Sequence, residues 1–205
     1  MTDFASAHTE ARSSRVVDPS DERWRRLLAQ IQKDSLQIGD FTLSSGRKSR
    51  FIFQLRQTTL HPEGAYLSAE IIVDYMRTQG LRFIGGLVLG AVPIVASVAA
   101  VSQSRGAPVF AFFVRKEAKG HGSREIIDGY TGEGEGEEIL LVDDVATTGG
   151  SILKALAILK EEGFKGSVKK ALVVIDREEG GAENLAREGI ALVSIFKKSD
   201  FDIGV

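Results

Sequence analysis

The sequence predicts an α/β fold. Its core is a doubly wound, mainly parallel sheet of five strands, and a small antiparallel subdomain precedes it. Three observations predict this. From Phe83 to Phe196 short apolar runs alternate with stretches of helical periodicity, the pattern of successive βαβ units. The glycine-rich and charged loops follow the strands, at the carboxyl ends where open α/β sheets bind ligands. Between Gly39 and Arg56 apolar residues recur with period two on either side of a polar turn, which reads as two short paired strands.

The elements follow in order. Met1 to Val17 reads as a disordered tail, and it lacks the apolar core of a secretory signal. Residues 18–205 form a single domain, with the small subdomain over about 18–60 and the core over about 61–196. Asp18-Pro19-Ser20-Asp21 opens a helix with Pro19 or Ser20 near its cap, and Trp24, Leu27, Leu28 and Ile31 form its apolar face. Phe41 and Leu43 alternate, then Phe51, Phe53 and Leu55, with Ser44 to Arg50 as the turn between. Pro62 to Gln79 is a helix that Gly80 ends. The strands of the sheet are Phe83–Leu89, Val109–Val114, Ile139–Val142, Val168–Ile175 and Ala191–Phe196. Helices follow from Ile94 to Ser104, from Ile152, and from Ala182 to Glu188, and Lys197 to Val205 forms an edge.

Composition narrows the function classes. With 205 residues, 43% of them hydrophobic, the chain can bury one real α/β core. A formal charge of −2 offers no footprint for nucleic acid. The absence of cysteine excludes disulfides, Cys–zinc sites and a thiol nucleophile, and accords with a cytoplasmic location. No apolar run approaches membrane-spanning length.

The chemistry concentrates in Glu138 to Ser151. The apolar run Ile139–Val142 suits a strand buried on both faces, and Asp143 and Asp144 follow it. Then come Thr147-Thr148-Gly149-Gly150-Ser151 and a helix. Small residues at a helix start turn backbone N–H groups towards an anion, and the helix dipole favours it. The hydroxyls of Thr147, Thr148 and Ser151 add donors. Two carboxylates beside a bound phosphate suit sugar hydroxyls or hydrated Mg²⁺. A ligand with a phosphate and a diol so close together is a ribose 5-phosphate. A plain βα turn with a solvated acidic pair would account for a Gly-Gly alone, but not for this whole order of residues.

Elsewhere two readings stay open at three places. Gly90-Ala91-Val92-Pro93 is either a routine βα turn or part of a ligand site. Arg115-Lys116-Glu117-Ala118-Lys119-Gly120-His121-Gly122-Ser123-Arg124 is either a solvated mobile loop, spanning about 115–129, or a lid over a polyphosphate. Arg177, at the carboxyl end of a strand, either pairs locally with Asp176 or Glu178 or reaches the binding crevice.

Val142 to Ser151 resembles the phosphoribosyl-pyrophosphate (PRPP) motif of type I phosphoribosyltransferases. Two further stretches, Phe41 to Ser49 and Arg115 to Gly122, resemble signatures of the orotate phosphoribosyltransferases. The resemblance implies transfer of a phosphoribosyl group from PRPP to orotate, giving orotidine 5′-monophosphate and pyrophosphate in pyrimidine synthesis. It implies Mg²⁺ held mainly by PRPP and water, with no metal ligand directly expected among the protein side chains. It further implies a homodimer with shared active sites, the small subdomain forming a hood over the base. Asp143, Asp144, Lys119 and His121 become the catalytic set. Arg115, Lys116, Lys119, His121, Asp143, Asp144, Val145, Ala146, Thr147, Thr148, Gly149, Gly150 and Ser151 become the PRPP site. The turn at Gly90–Pro93 would hold pyrophosphate through its main chain, and Phe53, Arg56, Thr147 and Arg177 would contact orotate. The best-known branch of the family has a lysine where Ser44 stands, and two aromatics where Ile52 and Phe53 stand. Arg56 is the replacement cation, provided that a bend near Gln54 brings it to the side of Phe53. Other classes consistent with the central motif are a purine-using transferase of the same fold and a non-catalytic PRPP-sensing regulator.

Overall fold

The computed structural model describes residues 13–42, 46, 48–117, 126–130 and 136–204. The chain opens with a short strand, β1 (Ser14–Arg15), on the edge of the main sheet. Helix α1 (Glu22–Gln30) starts at Asp21, whose carboxylate accepts the Arg23 N–H at 2.8 Å. The cap thus falls after the expected Pro19 or Ser20, because Ser20 donates its own N–H to Asp18 in a local turn. Trp24, Leu27 and Ile31 are buried, as the spacing requires. A wider helical turn, Ile31–Ser35, leads into the hood, formed by β2 (Leu36–Thr42) and β3 (Lys48–Phe53) in antiparallel pairing.

Helix α2 (Arg56–Thr59) is a single turn, and α3 (Pro62–Gln79) ends at Gly80 with φ 67°. That left-handed cap costs an L residue but not glycine. The sheet is then built in order by β4 (Phe83–Gly85), α4 (Ala91–Ser104), β5 (Phe110–Val114), β6 (Ile127–Gly129), β7 (Glu138–Ala146), α5 (Gly150–Glu161), β8 (Ser167–Asp176), α6 (Gly181–Arg187) and β9 (Ala191–Lys197).

The strand order is β1-β9-β8-β7-β4-β5-β6. The five predicted strands make the parallel centre from β9 to β5. Two short strands extend that five-stranded sheet, β1 parallel to β9 and β6 antiparallel to β5. Neither carries an apolar run of its own, so periodicity could not reveal them. Of the expected tail, residues 13–17 pair with or pack against the sheet, with Ser13 buried and Val16 donating its N–H to Ser194.

Alternate strand residues feed two cores. Leu140, Val142, Leu172 and Val174 face α1, α3 and α4, whereas Ile139, Leu141, Ala171 and Val173 face α5 and α6. Both faces are therefore dry, which is why these strands read as unbroken apolar runs. The order reverses between β4 and β7: one half of the chain winds outward through β5, the other through β8 and β9. That reversal opens a crevice at the carboxyl ends of β4 and β7.

Two strand ends that flank the crevice differ from expectation. Strand β4 stops at Gly85, although Leu87 still bridges to Val114. A Cβ at Gly86 would lie 2.2 Å from the Val142 carbonyl oxygen, so the backbone leaves the sheet by passing over β7. Strand β7, by contrast, runs beyond Val142 to Ala146, carrying both aspartates within it. The expected edge at Lys197 to Val205 begins with a turn, Lys198–Asp200, and then buries Phe201 against Phe196 and Phe53.

Candidate active site

A cavity of about 700 Å³ fills the crevice at the switch point. Strand β7 gives it Asp143, Asp144 and Val145, and the following loop and helix start give Thr147 and Ser151. The loop between β4 and α4 contributes Leu87, Val88, Leu89 and Gly90. The end of the hood contributes Phe53, Gln54, Leu55, Arg56 and Gln57, and Lys116 stands at the end of β5.

The acidic pair is held by its own backbone. Asp143 accepts the Asp144 N–H at 2.9 Å, and Asp144 accepts the Val145 N–H at 2.8 Å. Asp143 is only 7% exposed. Burial and then the neighbouring Asp144 charge push its carboxyl up to about 7, while hydrogen bonds from the Asp144 backbone and Ser151 pull the other way. Glycine is required opposite this pair. A Cβ on Gly90 would sit 2.3 Å from Asp143 Oδ1 and 2.7 Å from Asp144 Oδ1. The loop after β4 therefore lies directly on the carboxylates.

The end of the cavity at Thr147 and Ser151 meets a helix start without a side-chain cap. Gly149, at φ 77°, turns the chain into α5, leaving the first N–H groups of the helix for an anion. The loop is braced from α6, where Asn184 Nδ2 donates to the Thr148 carbonyl at 3.0 Å.

At the opposite end of the cavity the expected bend exists. β3 stops at Phe53, and Leu55 takes a helical conformation (φ −57°, ψ −23°) with its side chain buried. Burying Leu55 turns the chain, so Phe53 and Arg56 both line the cavity although they would diverge in a strand.

Half of the expected residues meet here. Asp143, Asp144, Val145, Thr147, Ser151, Lys116, Phe53 and Arg56 all line the cavity. Ala146, Thr148, Gly149 and Gly150 complete the loop without lining it, and Ala146 is buried. Arg115 turns away to Asp128 at 2.5 Å. Arg177 is buried outside the lining. It pairs with Glu179 at 2.9 Å, not with Asp176 or Glu178, and lies over the Phe51 ring at 4.5 Å. Lys119 and His121 lie outside the described residues, as do Leu43, Ser44, Ser45 and Arg47 of the hood turn. Of the turn expected at Gly90–Pro93, Gly90 lines the cavity together with Leu87, Val88 and Leu89, while α4 already begins at Ala91. Gln57 was missed altogether: α2 is one turn long, too short to leave a periodic signal.

Comparison with known proteins agrees with this geometry. The family model of the phosphoribosyl transferase domain matches residues 59–197. The orotate phosphoribosyltransferase of Bradyrhizobium sp. (strain ORS 278) is 43% identical over 178 residues, covering 86% of this chain and 95% of that protein. That of Aquifex aeolicus is 42% identical over 178 residues, covering 85% and 95%. Among solved structures, Mycobacterium tuberculosis H37Rv orotate phosphoribosyltransferase in complex with PRPP aligns with a TM-score of 0.70 at 30% identity, covering 89% and 99%. Adenine phosphoribosyltransferase from Leishmania donovani, at 17% identity and a TM-score of 0.64, shares the fold. The chain belongs to the orotate phosphoribosyltransferase family.

Proposed function

We propose that the chain transfers the 5-phosphoribosyl group of PRPP to orotate, forming orotidine 5′-monophosphate and pyrophosphate. One observation carries the reading: a single cavity joins the acidic pair and the phosphate loop to an aromatic ring and a cation, Phe53 and Arg56. The N-terminus of α5, with Thr147 and Ser151, would take the 5-phosphate. Asp143 and Asp144 would accept the ribose hydroxyls and face the positive charge that develops at the sugar as pyrophosphate leaves. The main chain of Leu87–Gly90, with Lys116, would take the pyrophosphate. Phe53 would lie on the flat pyrimidine, and Arg56 would pair with its carboxylate. Positioning and electrostatics are the whole of the protein's contribution in this account, since the incoming nitrogen can be anionic.

The reading includes Mg²⁺ as the cofactor. Among the described residues no group of three or more His, Cys, Asp or Glu could hold a metal. The Asp143–Asp144 pair would hold Mg²⁺ at one remove, accepting hydrogen bonds from its bound waters while PRPP oxygens ligate it. When bound, the ion supplies charge neutralisation to the pyrophosphate.

The direct test is the loss of orotate absorbance when PRPP and Mg²⁺ are added, with uracil, hypoxanthine and adenine run alongside. Consumption of orotate alone is expected. Consumption of a purine base, or of none, would overturn the reading.

The reading extends to an isologous homodimer in which Lys119 and His121 of one subunit serve the site of the other. Mixing inactive Lys119→Ala, His121→Ala protein with inactive Asp143→Asn, Asp144→Asn protein tests it. Exchange of subunits should restore activity towards about a quarter of wild type per subunit, as random pairing gives. Loops acting within their own subunit leave the mixture inactive. No described helix is long and apolar enough to cross a membrane. We place the activity in the cytoplasm, in keeping with a chain free of cysteine.

A further inference from the structure

We propose that Ser13 and Arg15, on the N-terminal segment, are positioning residues for the base half of the site. The inference rests on the orotate reading given above.

Two routes run from this segment to Phe53. In the first, Ser13 Oγ donates to Asp176 Oδ2 at 2.6 Å, with both residues buried. Asp176 Oδ1 in turn accepts the Glu178 N–H at 2.9 Å. Glu178 has φ 57°, a left-handed conformation that a non-glycine residue keeps only when its surroundings hold it there. These bonds fix the bend that carries Arg177. The Arg177 guanidinium then lies over the Phe51 ring at 4.5 Å and donates to Ser49 Oγ at 3.3 Å. Phe51 meets Phe53 edge-on at 5.6 Å between centroids.

In the second route, Arg15 pairs with Asp200. Asp200 Oδ2 accepts the Lys197 N–H at 2.8 Å, which closes the turn after β9. Phe201 follows that turn, and its ring meets Phe53 edge-on at 4.9 Å. A cross-link joins the routes, as Ser199 donates its N–H to Glu178 Oε2 at 3.0 Å. Phe53 thus meets two rings, Phe51 and Phe201, and each is tied to a residue of the N-terminal segment.

The need for such anchoring follows from the hood itself. Its sheet has two strands, and an isolated hairpin is marginal in water. Among the described residues, the phosphate half draws nothing comparable from this segment. Asp176 does sit beside Ala146 in the β7–β8 ladder, but backbone hydrogen bonds carry that pairing, and a change at Ser13 leaves them in place.

The test separates the two substrates. Ser13→Ala and Arg15→Ala are made singly in the full chain, and KM is measured for orotate and for PRPP. Each should raise the KM for orotate about threefold to tenfold, the effect of one lost hydrogen bond or partly shielded ion pair, and leave the KM for PRPP within about twofold. Ser13→Thr, which keeps the hydroxyl, should behave as wild type. Arg15 is partly exposed, so its variant folds even if Ser13→Ala does not, and it reads the same split. Equal rises in both KM values, or an unchanged KM for orotate in Arg15→Ala, would overturn the proposal. Its failure is distinct from failure of the orotate reading, in which wild type itself consumes no orotate.

Discussion

The two halves of the cavity are built by different means. The half we propose for the ribose phosphate comes from one continuous stretch, Asp143 to Ser151, at the crest of the central strand. Its strand is buried on both faces, its acidic side chains are set by adjacent backbone N–H groups, and its loop ends in a helix. The half we propose for the base is lined by the end of a two-stranded hood and a single helical turn, and a buried arginine and Phe201 back it from outside the lining. Those pieces are joined by side chains from distant parts of the sequence. The comparison teaches that the phosphate half is a property of local chain geometry, whereas the base half is a property of tertiary contacts. Substitutions should therefore act on the two substrates separately.

The largest break is expected at the acidic pair. Asp143→Asn with Asp144→Asn should lower turnover by a factor of a hundred or more, about 3 kcal/mol of lost electrostatic stabilisation. The fold should survive, because amides keep the size of the side chains and relieve the repulsion between two neighbouring carboxylates. Steady-state kinetics together with circular dichroism check both halves of the statement.

A smaller effect sharpens the same half through pH. The Asp143 carboxyl is raised from 3.8 to about 7, chiefly by burial. Between these two values the folded chain keeps a proton that the unfolded chain has released. Stability should therefore fall as pH rises across that window, and the loss should be complete above about 7. Ribose hydroxyls need the ionised acceptor, so kcat/KM for PRPP should rise with pH up to about 7 and then level off. In Asp143→Asn the stability slope from this group disappears. Denaturant midpoints measured from pH 4 to 8 would show it.

What could be read from the sequence follows the same division. The phosphate half was legible because its residues are contiguous and each has a local role. The parallel strands were legible because both of their faces are dry. Even there, the sequence placed Asp143 and Asp144 in the loop, since two charged residues end an apolar run; the structure keeps them in β7 by giving each carboxylate the next backbone N–H. The base half was legible only in outline. The bend after Phe53 depends on Leu55 being buried, a fact that appears only once α2 packs. Arg177 takes Glu179 as its partner because Asp176 is already engaged by Ser13 and by the Glu178 N–H. Nothing near Arg177 in the sequence announces a contact with residue 13.

The central claim, that the halves are separable, is tested most directly at Arg56, which lines the cavity next to Phe53 but also shares it with the Leu87–Gly90 loop. The measurement is calorimetric titration of PRPP into Arg56→Ala, paired with its KM for orotate. The account predicts a KM for orotate raised about tenfold, the effect of one lost charge-assisted contact, with PRPP affinity within about twofold of wild type. A parallel loss of PRPP affinity would assign Arg56 to the pyrophosphate and contradict the division.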